Sequence, residues 1–313
     1  MKILVADKIS DEAIKMLKEK HEVVFSELDP KGLLNEIEKY DALVIRSRTK
    51  VTKEVIKKGK NLKVIGRAGV GVDNIDVPEA TKRKIPVVNA PGGATVSVAE
   101  LTFAHMLSLA RNLSKSDKTM KNGEWEKKTL KGTELCDKTL GLIGSGRIGT
   151  EVGKMAIAFG MKVIVYDPYL SKETAEEQGF ELADLDSLLK NSDFISIHTP
   201  LTDETKKMID EKEFKKMKNT AFIVNCARGG IIDENALYNS LKEGKIRGAA
   251  LDVYENEPPK NSPLLTLDNI VFTPHIGAST KEAQIRAGTI TAEQVLKVLK
   301  NEKPDFCVNK EIV

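Results

Sequence analysis

Gly144-Ser145-Gly146-Arg147-Ile148-Gly149 directly follows the apolar run Thr139-Leu140-Gly141-Leu142-Ile143 and opens a helical pattern. Between a strand and a helix, this glycine spacing cradles a pyrophosphate. Gly144 permits the tight turn, Gly146 lets the backbone approach the phosphates, and Gly149 allows close helix–strand packing. The helix N-terminus then receives the negative charge. The next predicted strand, Lys162 to Tyr166, ends at Asp167, 18 residues past Gly149. A carboxylate there holds the hydroxyls of an adenosine ribose and repels a 2′-phosphate. Pro168 and Tyr169 offer no guanidinium to accept one, so the pattern favours NAD over NADP.

Three further groups suit carboxylate and proton chemistry. Arg228 lies in Asn225-Cys226-Ala227-Arg228-Gly229-Gly230, just after a predicted strand. Open parallel sheets bind ligands at that end of their strands, and a guanidinium fork matches a carboxylate. Glu257 lies in the Pro-rich turn Asp252 to Pro259, and His275 follows another strand in Pro274-His275-Ile276-Gly277. A carboxylate–imidazole pair fixes the ring and favours the imidazolium. Each residue alone also suits a plain surface or structural role. The other histidines lack matching partners. His21 at a helix end is expected in solvent, His105 within a helix is expected to pack, and His198 at a strand end borders the cofactor cleft.

The elements that must position these groups form two βα series. Strands are expected at 2–6, 22–25, 42–45, 63–65 and 87–88, with helices near 11–20, 31–39, 52–59 and 77–84. After Pro91-Gly92-Gly93, a helical pattern runs from Val96 to about Asn122, and Gly123 to Thr133 reads as a loop holding Trp125. The second series has strands at 139–143, 162–166, 193–197, 220–225, 247–251 and 270–273, then a last helix from about Thr280 to Leu299. This rhythm predicts an α/β protein with parallel sheets and helices on their faces.

The length of 313 residues suits two domains. Apolar residues make up 41% and charged residues 30%, a globular balance. The net charge of +3 points to neither nucleic acid nor a membrane surface as partner. No apolar run is long enough to span a bilayer, and the opening Met1 to Ala6 reads as a strand rather than a signal peptide. Cys136, Cys226 and Cys307 are odd in number and far apart. Neither a disulfide framework nor a metal site is expected, and a reducing cytoplasm is the default. Only nine of the 49 cationic residues are Arg, so guanidinium groups at strand ends stand out.

Taken together, Gly144 to Gly149 with Asp167, then Arg228, Glu257 and His275 in that order, resemble the D-isomer-specific 2-hydroxyacid dehydrogenase family. Within it, Gly66-Arg67-Ala68-Gly69-Val70-Gly71-Val72-Asp73-Asn74-Ile75-Asp76, Lys131 to Leu135, Asn225 to Gly230 and Pro274 to Thr280 resemble the branch that oxidises D-3-phosphoglycerate. The resemblance covers essentially the whole chain. It implies two Rossmann-like or flavodoxin-like domains with the active site in the cleft between them. Residues 1–92 and 282–313 would form a discontinuous substrate-binding domain, and 93–281 the NAD-binding domain. It also implies the short form, since many members carry a C-terminal regulatory extension.

Roles carried over by the resemblance place Arg147 and Ile148 at the pyrophosphate, Asp167 at the ribose, and Thr199 in the cofactor site. Cys226, Arg228, Asp252, His275 and Gly277 fall near the nicotinamide. The implied reaction yields 3-phosphohydroxypyruvate, the first step of phosphorylated serine biosynthesis. Arg228 clamps the carboxylate, His275 moves the C2 hydroxyl proton, and Glu257 holds the imidazole. Arg46 and Arg67 end neighbouring strands and suit a phosphorylated 2-hydroxy acid, with Gly69 and Val70 beside them. Relatives often carry Thr where Val70 stands, so a hydroxyl contact is absent. The resemblance also implies a homodimer through residues 96–133, with Lys131 projecting from its loop toward the neighbouring subunit's site. Two alternatives stay open: a glyoxylate or hydroxypyruvate reductase, and an NAD-sensing corepressor that binds peptides.

Overall fold

The structure, a computed structural model, describes all 313 residues, Met1–Val313. The chain divides into two compact units, Met1–Ala94 with Ala278–Val313, and Thr95–Gly277. Both are α/β, and every strand pair within their sheets is parallel.

The first unit holds β1 (Lys2–Val5), α1 (Asp11–Lys18), β2 (Glu22–Phe25), α2 (Pro30–Glu36), β3 (Ala42–Ile45), α3 (Lys53–Lys58), β4 (Val64–Arg67), α4 (Val77–Lys82) and β5 (Val87–Val88). The sheet order is β2-β1-β3-β4-β5. Its central strands are short apolar runs, as expected where helices cover both faces. Side-chain oxygens of Ser10, Asp29 and Asp76 cap the helices that follow them. The helix at Lys281–Leu299 belongs to this unit: Ala292, Val295 and Leu299 share a buried cluster with Ile3, Val5 and Val44. Each such Leu, Ile or Val contributes about 1.5–3 kcal/mol through burial. Gly66 makes that packing possible, because a Cβ there would lie 2.6 Å from Val295 Cγ2. The tail then adds to the sheet edge, with Cys307 bridging Val88 antiparallel. The buried Asn309 side chain accepts from Val87 N and donates to Ile85 O. His21 departs from expectation. Both its ring nitrogens are shielded from water without a partner, and lost hydration lowers its pKa from the ordinary value.

The second unit holds α5 (Thr95–Arg111), α6 (Leu113–Lys121), β6 (Thr139–Ile143), α7 (Arg147–Ala158), β7 (Lys162–Tyr166), α8 (Lys172–Glu177), β8 (Glu181–Leu182), α9 (Leu185–Asn191), β9 (Phe194–Ile197), α10 (Glu211–Lys216), β10 (Phe222–Asn225), α11 (Glu234–Lys242), β11 (Gly248–Leu251) and β12 (Ile270–Phe272). The helix of the first unit at Lys281–Leu299 is α12. The single helix expected over 96–122 is two, because Asn112 turns left-handed with φ 53°. Asn tolerates that conformation, and apolar periodicity does not register one residue of it. The 123–133 segment has neither helix nor strand, and Trp125 is 77% exposed.

The sheet order is β12-β11-β10-β9-β6-β7-β8, so the chain reverses direction across the sheet between β6 and β9. Ligands bind at the carboxyl ends of strands at such a switch point. The register aligns those ends: Ile143 pairs with Ile197, Ile197 with Asn225, Asn225 with Leu251, and Leu251 with Phe272. The residues that follow each strand therefore emerge on one edge of this unit.

Candidate active site

Gly144 follows β6 with φ 93°, and a Cβ there would press His198 O at 2.9 Å. A Cβ at Gly149 would collide with Gly144 O at 2.2 Å, so α7 can start this close to the turn only with glycine there. At Gly146, the first cap of α7, a Cβ would meet nothing within 4 Å. That open side, with Arg147 exposed and Ile148 half-buried at the helix start, suits a pyrophosphate. Asp167 Oδ2 accepts from Ser145 N at 2.8 Å, so this carboxylate and the glycine turn are tied together. Ser145 Oγ and Thr199 Oγ1 are buried and unbonded beside the turn. These two orphaned hydroxyls and the open glycine cradle fit a dinucleotide. His198 stays neutral there: lost hydration pushes its pKa down to about 3, and Ser196 Oγ lies 2.8 Å from its Nε2.

At the other strand ends, His275 Nδ1 lies 2.8 Å from Glu257 Oε2. A carboxylate only accepts, so Nδ1 carries the proton, which leaves Nε2 as the acceptor nitrogen of the neutral ring. Glu257 Oε1 accepts from Tyr254 N at 3.3 Å. The Tyr254 hydroxyl hydrogen-bonds Thr273 O at 2.7 Å, linking the Glu257 turn to the His275 segment. Glu255 N donates to Glu234 Oε1 at 2.7 Å and Glu234 N to Glu255 Oε1 at 3.3 Å, pinning the same turn to α11. Desolvation raises the pKa of Glu234. Arg228 is half-buried, with Nη1 on Ala227 O at 2.7 Å and its own carbonyl held by Asn225 Nδ2 at 2.8 Å. Cys226 is buried, and lost hydration pushes its thiol up to about 12, so it is a neutral wall rather than a nucleophile. Asp252 is 1% exposed and accepts from Ile276 N at 2.8 Å and Gly277 N at 2.9 Å.

The second unit thus brings Gly144, Asp167, Thr199, Cys226, Arg228, Asp252, Glu257, His275 and Gly277 to one sheet edge. The predicted substrate residues Arg46, Arg67, Gly69 and Val70 belong to the first unit. Arg46 follows β3 and Arg67 ends β4, and Ile45 pairs with Arg67 across the two strands. Arg67 folds over Gly69, where a Cβ would overlap the guanidinium at 1.4 Å. Val70 is exposed. The exposed Arg48 is anchored to the same loop: its Nε lies 3.0 Å from Asp7 Oδ1, and its Nη2 donates to Ala6 O. The buried Asp7 also accepts from Arg46 N and Thr49 Oγ1, while Asn74 Nδ2 donates to Arg46 O and Thr49 O. Sequence reasoning missed Asp7, Ser145, Tyr254 and Glu234. Only the polar Ser inside the glycine turn carried a local signal.

Two parallel sheets, a glycine turn at a switch point tied to a carboxylate at the end of the next strand, and a Glu–His pair after the strands of the same sheet fit the NAD-dependent dehydrogenase class. Residues 103–277 match the family described as D-isomer specific 2-hydroxyacid dehydrogenase, NAD binding domain, and the chain belongs to that family. It is 57% identical over 311 residues to D-3-phosphoglycerate dehydrogenase of Methanocaldococcus jannaschii, covering 99% of this chain and 59% of that protein. It is 50% identical over 303 residues to hydroxypyruvate reductase of Thermotoga maritima, covering 95% of this chain and 98% of that protein. A solved glyoxylate reductase from Paecilomyes thermophila superposes with a TM-score of 0.90 at 30% identity, over 99% of each chain. The chain spans about three fifths of the length of the phosphoglycerate dehydrogenase it matches. No helix is long and apolar enough to cross a membrane.

Proposed function

We propose that this chain oxidises D-3-phosphoglycerate to 3-phosphohydroxypyruvate with NAD, the entry step of phosphorylated serine biosynthesis, as a cytoplasmic enzyme. The carrying observation is the pair of guanidinium-bearing strand ends, Arg46 and Arg67, on adjacent strands of the first unit. They suit a dianionic phosphate through charge-assisted hydrogen bonds. The identity to the Methanocaldococcus protein supports the same substrate. Gly69 and Val70 shape the surroundings of Arg67.

Arg228 binds the substrate carboxylate and polarises the C2 oxygen. His275 takes the C2 hydroxyl proton at Nε2 and returns it in reduction. Glu257 accepts from Nδ1 and stabilises the imidazolium that forms. Gly144 to Gly149, Asp167 and Thr199 hold the dinucleotide, with Cys226, Asp252 and Gly277 toward its nicotinamide end. Bound NAD supplies the hydride acceptor. Acid–base assistance of this kind contributes roughly 10²–10⁴-fold in rate. Leu113, Met120 and Trp125, exposed along 96–133, support a homodimer through that region.

The identity to the Thermotoga protein favours a second reading, reduction of hydroxypyruvate. Rates of NADH formation from 3-phosphoglycerate, with the keto product removed, decide against rates with glycerate. Strong preference for the phosphorylated acid is expected. Equal rates would favour the second reading, and NADH binding without turnover of either acid would favour a sensor. A dimeric mass by light scattering is expected at micromolar concentration.

A further inference from the structure

Val98, Thr102 and His105 lie on one face of α5, spaced by four and three residues. Val98 and His105 meet different segments of the site. Val98 Cγ2 would lie 3.2 Å from a Cβ on Gly277, the Thr102 hydroxyl donates to Val98 O at 2.9 Å, and His105 Nε2 lies 3.0 Å from Thr273 Oγ1. Thr273 Oγ1 in turn donates to Asp252 Oδ1 at 2.6 Å.

The direction of this chain is forced. The Asp252 carboxylate only accepts, so the Thr273 hydroxyl gives it its single proton. The hydroxyl oxygen is left to accept, so His105 Nε2 carries a proton. His105 is 2% exposed, and desolvation lowers its pKa, which keeps the ring neutral. Asp252 also accepts from Ile276 N at Oδ1 and from Gly277 N at Oδ2, immediately after His275. His275 itself sits at φ 53°, a left-handed conformation that strains a non-glycine residue and persists only where its surroundings impose it.

We propose that His105 is a positioning residue for the reaction proposed above: through Thr273 it orients the Asp252 carboxylate, which grips the Ile276 and Gly277 amides and holds His275 in its left-handed conformation. His105 touches no reacting atom. It acts by closing a directed hydrogen-bond chain in which each member polarises the next. A histidine that merely filled the core would be replaceable by Leu with no effect on the loop.

Amide exchange in the cofactor-free protein and steady-state kinetics test this together. His105→Leu should speed exchange of the Ile276 and Gly277 amides and lower kcat, each about tenfold, the scale of one lost buried hydrogen bond. KM for 3-phosphoglycerate should stay within about twofold, because uniform binding is untouched. His105→Gln, which keeps an N–H donor, should recover most of both losses. Thr273→Val should resemble His105→Leu, and the double variant should be no worse than either, as members of one chain are not additive. Wild-type exchange and kcat in His105→Leu would overturn the proposal. So would a lowered Tm with neither readout moved, or additive losses in the double variant. A wild-type protein inert toward 2-hydroxy acids would sink the proposed function, while the amide exchange would still decide the role of His105.

Discussion

His275 Nδ1 and Glu257 Oε2 are 2.8 Å apart, yet the two side chains are 47% and 40% exposed. Exposed ion pairs contribute little to stability, about 0–1 kcal/mol. In the proposed mechanism the pair serves the chemistry, by fixing the tautomer that leaves Nε2 as the acceptor. Glu257→Gln should lower kcat by about 10²-fold while Tm stays unchanged. A Tm loss with normal kcat would contradict this.

His275→Ala and Arg228→Ala should fail differently. The first should lower kcat roughly 10²–10⁴-fold and leave the NADH Kd near normal. The second removes a charge-assisted clamp worth about 1.5–3 kcal/mol, so KM should rise as kcat falls. Titration of NADH fluorescence beside steady-state kinetics separates them. An unchanged KM in Arg228→Ala would remove Arg228 from the carboxylate.

Asp167 is held against the glycine turn through Ser145 N. Asp167→Ala should narrow the preference for NAD over NADP, since the repulsion of a 2′-phosphate is lost. The ratio of kcat/KM for the two cofactors measures it. Equal use of both by the wild type would misplace the ribose.

Asn74 Nδ2 grips Arg46 O at 2.7 Å and Thr49 O at 2.6 Å, and Asp7 accepts from Arg46 N at 2.6 Å. If Arg46 meets the substrate, Asn74→Ala should raise KM for 3-phosphoglycerate about tenfold by loosening that loop. NADH affinity should stay constant. A KM equal to wild type would remove Arg46 from substrate binding.

His198 titrates near 6.5 when unfolded, but in the fold lost hydration pushes it down to about 3. Between those values the unfolded chain binds a proton that the native state refuses. The stability tied to its neutral ring is therefore complete above about pH 6.5 and drains away as pH falls toward 3. His105 is shifted in the same direction by burial. Melting curves of the wild type and His198→Gln should diverge least in acid, with a flatter pH slope in the variant. A Tm difference that does not change with pH would show that His198 is not the titrating group.

The glycine turn and Asp167 are legible in the sequence because they are local. The strand at Thr139–Ile143, the turn and the strand at Lys162–Tyr166 are contiguous, and backbone sterics dictate the spacing. The order Arg228, Glu257, His275 is also visible, and so are the strands that carry them. The Asn112 break is not, because one left-handed residue leaves the apolar period intact. The partners of Asp252 lie 21, 24 and 25 residues along the chain, and His105 meets Thr273 across 168 residues. Arg48 finds Asp7 only because β1 and β3 are neighbours in the sheet. Local composition determines which residues form strands, turns and caps. Strand order and register determine which strand ends become neighbours, and those arise from burying whole faces of a sheet. His105 reads as packing in one dimension, and becomes part of a hydrogen-bond chain only where α5 crosses the ends of β10, β11 and β12.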